Sequence, residues 1–556
     1  MNRILSSTVM MVGLIACKKN DTSPLTPAQP AAFSVKGIQI NNVSWDNSLY
    51  GVNSLPEIKI RFSGPVREGS VTTAVTVTTD NALPVPITVT YQSNDSVVLL
   101  NPALPLKFLT RYLLKLDTSL KSSAGGSLIP ATVKYFFTQI DSTDKFQRIS
   151  DNALLTLVQQ QTFKYFWEFG HPVSGLARER SSSADIVTTG GSGFGIMSML
   201  VGVQRNFITR AAALSRIDTM VNFLTSKVTR YHGAFPHWIN GLTGATVPFS
   251  SWDDGGDIVE TSYLMQGLLC ARQFFNNPSD VNEINLHGKI DGLYNAVEWN
   301  WYRNNNQNVL YWNWSPDFNW AVGVQVGGWN EALITYVLAA SSNIDSNAIP
   351  KIVYDNGWAH NGSIKNGNSY YGVQLPLGVP FGGPLFFSQY SFLGINPNGL
   401  SDAYANYWVQ NTAHTTINYL YCADNPRGYF GYSKFCWGLT ASDIPNGYSA
   451  SSPASDDGVI APTAALSSFP YSPGQSMDAL HFFYYQLGDK IWGAYGFTDA
   501  FDLTNLWYDR DCLAIDQGPE IIMIENYRTA LLWNLFMSCP EVKRGMKNLG
   551  FQSPNL

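Results

Sequence analysis

The apolar residues of this chain repeat at every second position up to about residue 140 and at helical spacing from Ser150 onward, and no single fold satisfies both periods. In the first stretch Val35, Ile38 and Ile40 are followed by Ile58, Ile60 and Phe62, then Ile87, Val89 and Tyr91, then Tyr112, Leu114 and Leu116, then Val133, Tyr135 and Phe137. Turn residues at Asn94-Asp95, Ser122-Ser123 and Gly125-Gly126 separate the runs. Short alternating strands at this spacing predict a β-sandwich over 33–140, with 141–149 as a linker. After a Ser150-Asp151 cap, Leu154, Leu155, Val158, Thr162, Tyr165, Phe166 and Phe169 share one helical face. Further helices are predicted over 209–227, 257–275, 288–302, 329–341, 401–422, 476–487 and 525–538. The loops 304–328, 361–400 and 423–475 are rich in Gly, Asn, Trp and Pro, and loops of that length inside a compact domain are usually functional. Residues 150–556 therefore predict an all-α (α/α) barrel whose long loops gather at one end as a cleft.

Composition narrows the partners. Charged residues make up 14% of the chain against about 25% in an average soluble protein, aromatics reach 13%, and the formal net charge is −6 with no basic run. Nucleic acid is excluded as a partner on that balance. Trp and Tyr on a weakly charged surface suit stacking on sugar rings, and they equally suit filling a large core.

The N-terminus reads as a signal peptide: Arg3, an apolar segment Ile4 to Ile15, then Leu14-Ile15-Ala16-Cys17. That ending resembles a bacterial lipobox, so residues 1–16 are expected to be removed and Cys17 to carry lipid, with 17–32 as a Pro-containing tether. The expectation is a cell-envelope lipoprotein, periplasm-facing or surface-exposed on the outer membrane, touching the membrane only through its lipid. Cys270, Cys422, Cys436, Cys512 and Cys539 are widely spread with no C-x-x-C, and no H-x-x-x-H occurs, which argues against a disulfide framework and against zinc. Pairing of Cys422 with Cys436 stays open.

The sharpest cluster for chemistry is Trp252-Asp253-Asp254-Gly255-Gly256-Asp257-Ile258-Val259-Glu260, running from a loop into a helix. Asp257 and Glu260 share a helix face, with Asp253 just outside. Crowded carboxylates raise at least one pKa, the condition under which a carboxyl stays protonated near neutrality. The same acids also suit a helix N-terminus, and pattern alone divides the two readings evenly. Glycoside hydrolysis needs a second carboxyl on the other side of the bond. Glu331, in Gly327-Gly328-Trp329-Asn330-Glu331, and Asp456-Asp457-Gly458 supply the candidates. Phe235, His237, Trp238, Trp252, Trp312, Trp314, Trp329 and Tyr390 are candidate sugar platforms, with core packing as the alternative for each.

Residues 150–550 resemble glycoside hydrolase family 144, the bacterial glucoamylase-like domain. The matching stretches run in order from Thr188-Thr189-Gly190 with Gly193-Phe194-Gly195, through Gly233 to Trp238, Asp253 to Glu260, Gly327 to Glu331, Gln389 to Gly394 and Tyr404 to Trp408. They continue through Cys436 to Asp443 and Asp456 to Ala465, and end on Asp516-Gln517-Gly518-Pro519. Ile58 to Val66 (IKIRFSGPV) resembles bacterial Ig-like domains. The family resemblance implies an (α/α)6 toroid without metal or organic cofactor, and the chain is expected to act as a monomer. It also implies inverting hydrolysis of β-1,2-glucan to sophorose or sophoro-oligosaccharides, with functional carboxylates at Asp253, Asp257, Glu260 and Glu331. Glu331 is expected to be the acid, and the base is left open among Asp253, Asp257, Glu260, Asp456 and Asp457. A glucoamylase-type hydrolase of another glucan, a polysaccharide lyase on the same toroid and a non-catalytic glycan-binding lipoprotein are the competing readings. Weakly charged, carboxylate-bearing loops argue against the lyase.

Overall fold

The computed structural model describes residues 30–556, so the signal peptide, Cys17 and nearly all of the tether lie outside the described residues. The chain divides into two compact units, 1–139 and 140–556.

The first unit is a sandwich built from β1 (Val35–Ile40), β2 (Val43–Ser44), β3 (Leu49–Val52), β4 (Ile58–Phe62), a short helix α1 (Glu68–Ala74), β5 (Val75–Thr79), β6 (Ile87–Gln92), β7 (Val97–Pro102), β8 (Arg111–Leu116) and β9 (Thr132–Thr138). One antiparallel sheet runs β2-β1-β4-β7-β6; the other runs β3-β9-β8-β5, with β3 and β9 parallel. Inward residues Ile38, Ile40, Ile58, Ile60 and Phe62 share one core with Val75, Val77, Tyr112, Leu114 and Leu116, as a period of two requires. Two strands depart from the sequence pattern. β7 is buried at four successive positions, Val97 to Leu100, so no alternation marks it. In β9 the inward residue is Phe136, edge-on to Trp45 and stacked on Tyr112, whereas Val133 and Tyr135 face out. The Arg111 guanidinium covers the Tyr135 ring at 5.3 Å.

The second unit is helical. Its helices are α2 (Asp151–Trp167), α3 (Thr189–Gln204), α4 (Arg210–Ser226), α5 (Ile258–Phe274), α6 (Val281–Asn295), α7 (Leu333–Ala340), the single turn α8 (Lys351–Val353) and α9 (Tyr407–Asp424). They continue with α10 (Pro462–Leu466), α11 (Pro473–His481), α12 (Gly488–Ile491), α13 (Ala514–Thr529), α14 (Leu531–Met537) and α15 (Pro540–Leu549). α3, α5 and α13 are buried along most of their length. α2, α4, α6 and α15 each bury one face, with α2 packed on α13, α6 on α5 and α15 on α7. This inner and outer pairing is that of a helical toroid.

α3 had no helical signature, because its sequence TGGSGFGIMSMLVGVQ carries five glycines, each costing about 1 kcal/mol against alanine in a helix. The glycines serve packing. A Cβ on Gly193 would lie 2.1 Å from the Tyr263 carbonyl oxygen, and one on Gly267 2.2 Å from that of Gly193, so α3 and α5 touch backbone to backbone. α6 starts at Val281 rather than 288, capped by Asp280, whose side chain accepts from Asn282 N and Glu283 N. The predicted helix 525–538 is two helices, broken at Ala530 with φ +58°. The five described cysteines are buried thiols, and no helix among the described residues is long and apolar enough to cross a membrane.

Candidate active site

Short strands set up the first acidic group. β10 (Ile186–Thr188) feeds α3, and β11 (Trp238–Asn240) pairs with it antiparallel, placing Thr188 beside Trp238. β12 (Thr246–Val247) pairs with β11, while β14 (Leu310–Tyr311) lies outside this sheet and β13 (Gly256–Asp257) pairs with β15 (Asn313–Trp314) and ends at the start of α5. Asp257 is the N-cap of α5: its Oδ1 accepts from Val259 N and Glu260 N, both at 2.9 Å. Its Oδ2 accepts from His237 Nδ1 at 2.9 Å and Trp312 Nε1 at 3.2 Å. Four N–H donors fill the lone pairs of that carboxylate, so Asp257 orients its surroundings and has none left for water or sugar.

Glu260, one turn along, is buried. Its Oε2 accepts from Gly190 N at 2.7 Å and Thr188 Oγ1 at 3.2 Å, tying α5 to the start of α3. Gly190 must be glycine, since a Cβ there would lie 2.7 Å from that oxygen. Burial raises the Glu260 pKa, and the charge of His237 opposes the rise. Asp253 is partly buried; desolvation raises it, and the nearby Asp257 charge adds to the effect. Burial alone would depress His237, but Glu260, Asp257 and Asp253 outweigh it and hold the imidazole at about 9.

Glu331 enters from the turn before α7. Its main-chain oxygen accepts from Ser391 Oγ and from Tyr263 OH, the latter at 3.4 Å. Its side chain is only partly covered, yet desolvation raises it to about 7, with the charges of Glu260 and Asp257 adding to the rise. A carboxyl held there keeps a proton for about half the time at neutral pH.

A second acidic group lies on α13. Asp516, in its first turn, is buried and raised to about 7 by desolvation, with Arg180 pulling it down. Its hydrogen-bond partner is the carboxyl of Asp499, which burial and the Asp516 charge push far above the usual range, so Asp499 carries the shared proton. Asp499 Oδ2 also accepts from Asp443 N at 2.7 Å. Arg180 grips both oxygens of Asp443, at 2.8 and 3.0 Å, and binds Glu179 at 2.9 Å. Asp443, Asp499 and Asp509 bring one oxygen each within 4.8 Å of one another, the one grouping among the described residues close enough to hold a metal ion. Here Arg180 already occupies the Asp443 carboxylate, and burial raises both Asp499 and Asp509.

A cavity of about 380 Å³ is lined by partners of both groups, Thr188 and His237 from the first and Glu179 and Arg180 from the second, together with Trp238, Phe249, Tyr448, Leu513 and Ile515. Tyr390 is within electrostatic range of both Asp516 and Glu331: burial first, then Asp516, Tyr448, Tyr263 and Glu331, raise its phenol. A larger groove of about 600 Å³ between α4 and α6 is lined by polar and charged surface residues such as Arg210, Asp218 and Lys289 and holds none of these carboxyls.

The sequence-derived residues sort as follows. Asp253, Asp257, Glu260 and Glu331 come together. Asp456 does not join them: it is buried, accepting from Tyr421 OH at 2.9 Å and Tyr432 OH at 2.8 Å, and so anchors its loop. Asp457 is exposed and accepts from Ser449 and Ser451. His237 and Trp238 line the cavity, and Trp312 bonds Asp257. Trp252 is exposed and Trp314 partly so. Phe235 and Trp329 are corrected: both are packed in the core and offer no face to a sugar. Tyr390 is likewise buried, its ring packed against Phe194, Tyr263 and Phe386. Sequence reasoning gave no role to Glu179, Arg180, Asp499 or Asp516. Asp443 and Asp516 did stand inside matching stretches, and that was their only signal.

Residues 323–540 match the Glycoamylase (glucoamylase) family model and residues 35–139 the bacterial Ig-like domain model. The chain is 45% identical over 423 residues to an exo β-1,2-glucooligosaccharide sophorohydrolase (non-reducing end) of Parabacteroides distasonis; the match covers 72% of this chain and 58% of that protein's length. An endo-β-1,2-glucanase of Chitinophaga pinensis, solved with sophorotriose and glucose, is 49% identical with a TM-score of 0.71, covering 74% of this chain and 100% of that one. A β-1,2-glucanase of Parabacteroides distasonis is 36% identical with a TM-score of 0.71, covering 94% of this chain and 73% of that one.

Proposed function

The chain belongs to the bacterial glucoamylase-like glycoside hydrolases, glycoside hydrolase family 144, and on that premise we propose that it hydrolyses β-1,2-glucan to sophorose or sophoro-oligosaccharides by acid–base catalysis with inversion. The observation that carries this reading is Glu331, a partly open carboxyl held at about 7, with Asp516 as the second carboxyl acting on Tyr390. Glu331 gives its proton to the leaving glycosidic oxygen as the bond from the anomeric carbon breaks. A water adds to that carbon from the opposite face and loses its proton to Asp516, whose ionised form the Asp499 hydroxyl stabilises. Solvent then restores both groups. Asp257 and Glu260 fix the α5 and α3 termini around the reacting sugar.

The test is direct: incubate the purified protein with linear β-1,2-glucan and with starch, and resolve the products by chromatography. Sophorose alone means exo action, a ladder means endo action, and glucose from starch only overturns the proposal. Glu331→Gln is expected to keep glucan binding and lose turnover. The lipobox-like segment supports a cell-envelope lipoprotein as the cellular form; labelling with radioactive palmitate is expected to mark the wild type and not Cys17→Ala.

A further inference from the structure

One face of the His237 ring is covered by Phe249, with centroids 4.0 Å apart and planes 29° off parallel, and Trp238 meets the ring edge-on. That face is therefore closed to a sugar. The ring nitrogen Nδ1 is bound to Asp257 Oδ2. The charged groups facing His237 are Asp253 from the loop before α5 and Asp257 and Glu260 from α5 itself; Glu179 and Arg180 line the same cavity. Three carboxyls thus converge on one imidazole, and Arg180 is committed to Asp443 and Glu179.

We propose that His237 is the counter-cation of the acidic group at the α5 N-terminus, a positioning residue that acts through Asp257 and Glu260 and not a surface on which sugar stacks. The inference rests on the hydrolase reading above. As an imidazolium His237 donates to Asp257, which holds the first turn of α5, and its charge keeps Glu260 ionised to accept from Gly190 N and Thr188 Oγ1. Those bonds set where α3 and α5 meet at the cleft. Without the ring, Glu260 takes up a proton and loses acceptor strength toward Gly190 N, and Asp257 keeps Trp312 as its one side-chain donor. The position near 9 of His237 keeps the cation in place through the neutral range.

The experiment starts from wild-type turnover on β-1,2-glucan; its absence sinks the hydrolase reading, and the nuclear magnetic resonance arm below then decides the role of His237 alone. With turnover present, His237→Ala is expected to lower kcat about 100-fold while KM stays within about threefold. Imidazole added at pH 6.5 is expected to restore at least part of the loss, and 1,2,4-triazole, which has the same shape but stays neutral, is expected to restore none. A raised KM with kcat unchanged, equal rescue by triazole, or no rescue in a folded variant overturns the proposal. Should His237→Ala fail to fold, ring ¹⁵N–¹H correlation spectra of the wild type decide: both nitrogens protonated at pH 8 supports the counter-cation, and a neutral ring at pH 7 overturns it.

Discussion

The toroid carries two acidic groups whose hydrogen-bond partners line one cavity, and each is served by one cation of a different kind. At the start of α5, Asp257 and Glu260 are tied down by backbone N–H groups, a hydroxyl, an indole and His237, a cation that can lose its proton. At the start of α13, Asp516 and Asp499 have each other, and Arg180, which cannot lose its charge, reaches them only through Asp443. Saturation with N–H donors makes a carboxylate a fixed structural anion. A carboxyl pair that must share a proton has a pKa near neutrality and can take a proton from a reacting water. Identical side chains at equivalent helix termini therefore end in different work, decided by who donates to them.

The largest expected effect tests that division. Asp516→Asn should lower kcat by about 10³-fold while glucan binding persists, because the water then has no acceptor for its proton. Asp257→Asn should cost turnover together with thermal stability, since an amide cannot accept from all four donors. If Asp516→Asn proves mild and Asp253→Asn severe, the base belongs to the α5 group and the comparison reverses. The next effect is on pH. With Glu331 required protonated and Asp516 ionised, both near 7, the activity profile should be a bell centred close to neutrality. Arg180 pulls Asp516 down, so Arg180→Gln should move the acidic limb upward by about one pH unit and leave the alkaline limb, set by Glu331, in place. Movement of both limbs together would show that the two groups titrate as one.

How far the sequence revealed this contrast follows the same physics. The α5 group was legible because an N-cap Asp with Glu three residues on is a local pattern, and Glu331 because a Gly-rich loop enters a helix there. Asp516 was quoted in a motif without a role: one acid in a first helical turn looks like any dipole partner, and its meaning comes from Asp499, which is near only in the fold. α3 stayed hidden for a related reason. Its glycines argue against a helix locally and are required by the backbone contact with α5, a tertiary demand that periodicity cannot display. The strand β7 and the facing of β9 escaped likewise, since burial on both sides, or an aromatic cover such as Arg111 over Tyr135, erases or inverts alternation. Phe235 and Trp329 show the opposite error: aromatic residues in Gly-rich loops read as sugar platforms while they fill the core.

The smallest effect sharpens the comparison along α13 itself. Glu520 lies one turn beyond Asp516, fully buried, its Oε1 accepting from Thr162 Oγ1 at 3.2 Å and its Oε2 without a partner. Desolvation raises it to about 8. Its one hydrogen bond ties α13 to α2, a structural contact, so its elevated value is expected to bear on stability alone. The native state holds that proton more tightly than the unfolded chain does. Its contribution is therefore complete below the ordinary glutamate range and is lost as pH rises from there through about 8, at a cost of order a few kcal/mol when the buried carboxyl must ionise. Glu520→Gln keeps the shape and the bond with Thr162 and removes the ionisation. The variant should match the wild type in melting temperature at pH 5 and exceed it by about 5 °C at pH 8, with kcat unchanged at both. Equal melting curves at pH 8 would mean that the unpaired oxygen finds a cation or a donor on ionising, and a fall in kcat would extend the catalytic group one turn further down α13 than Asp516.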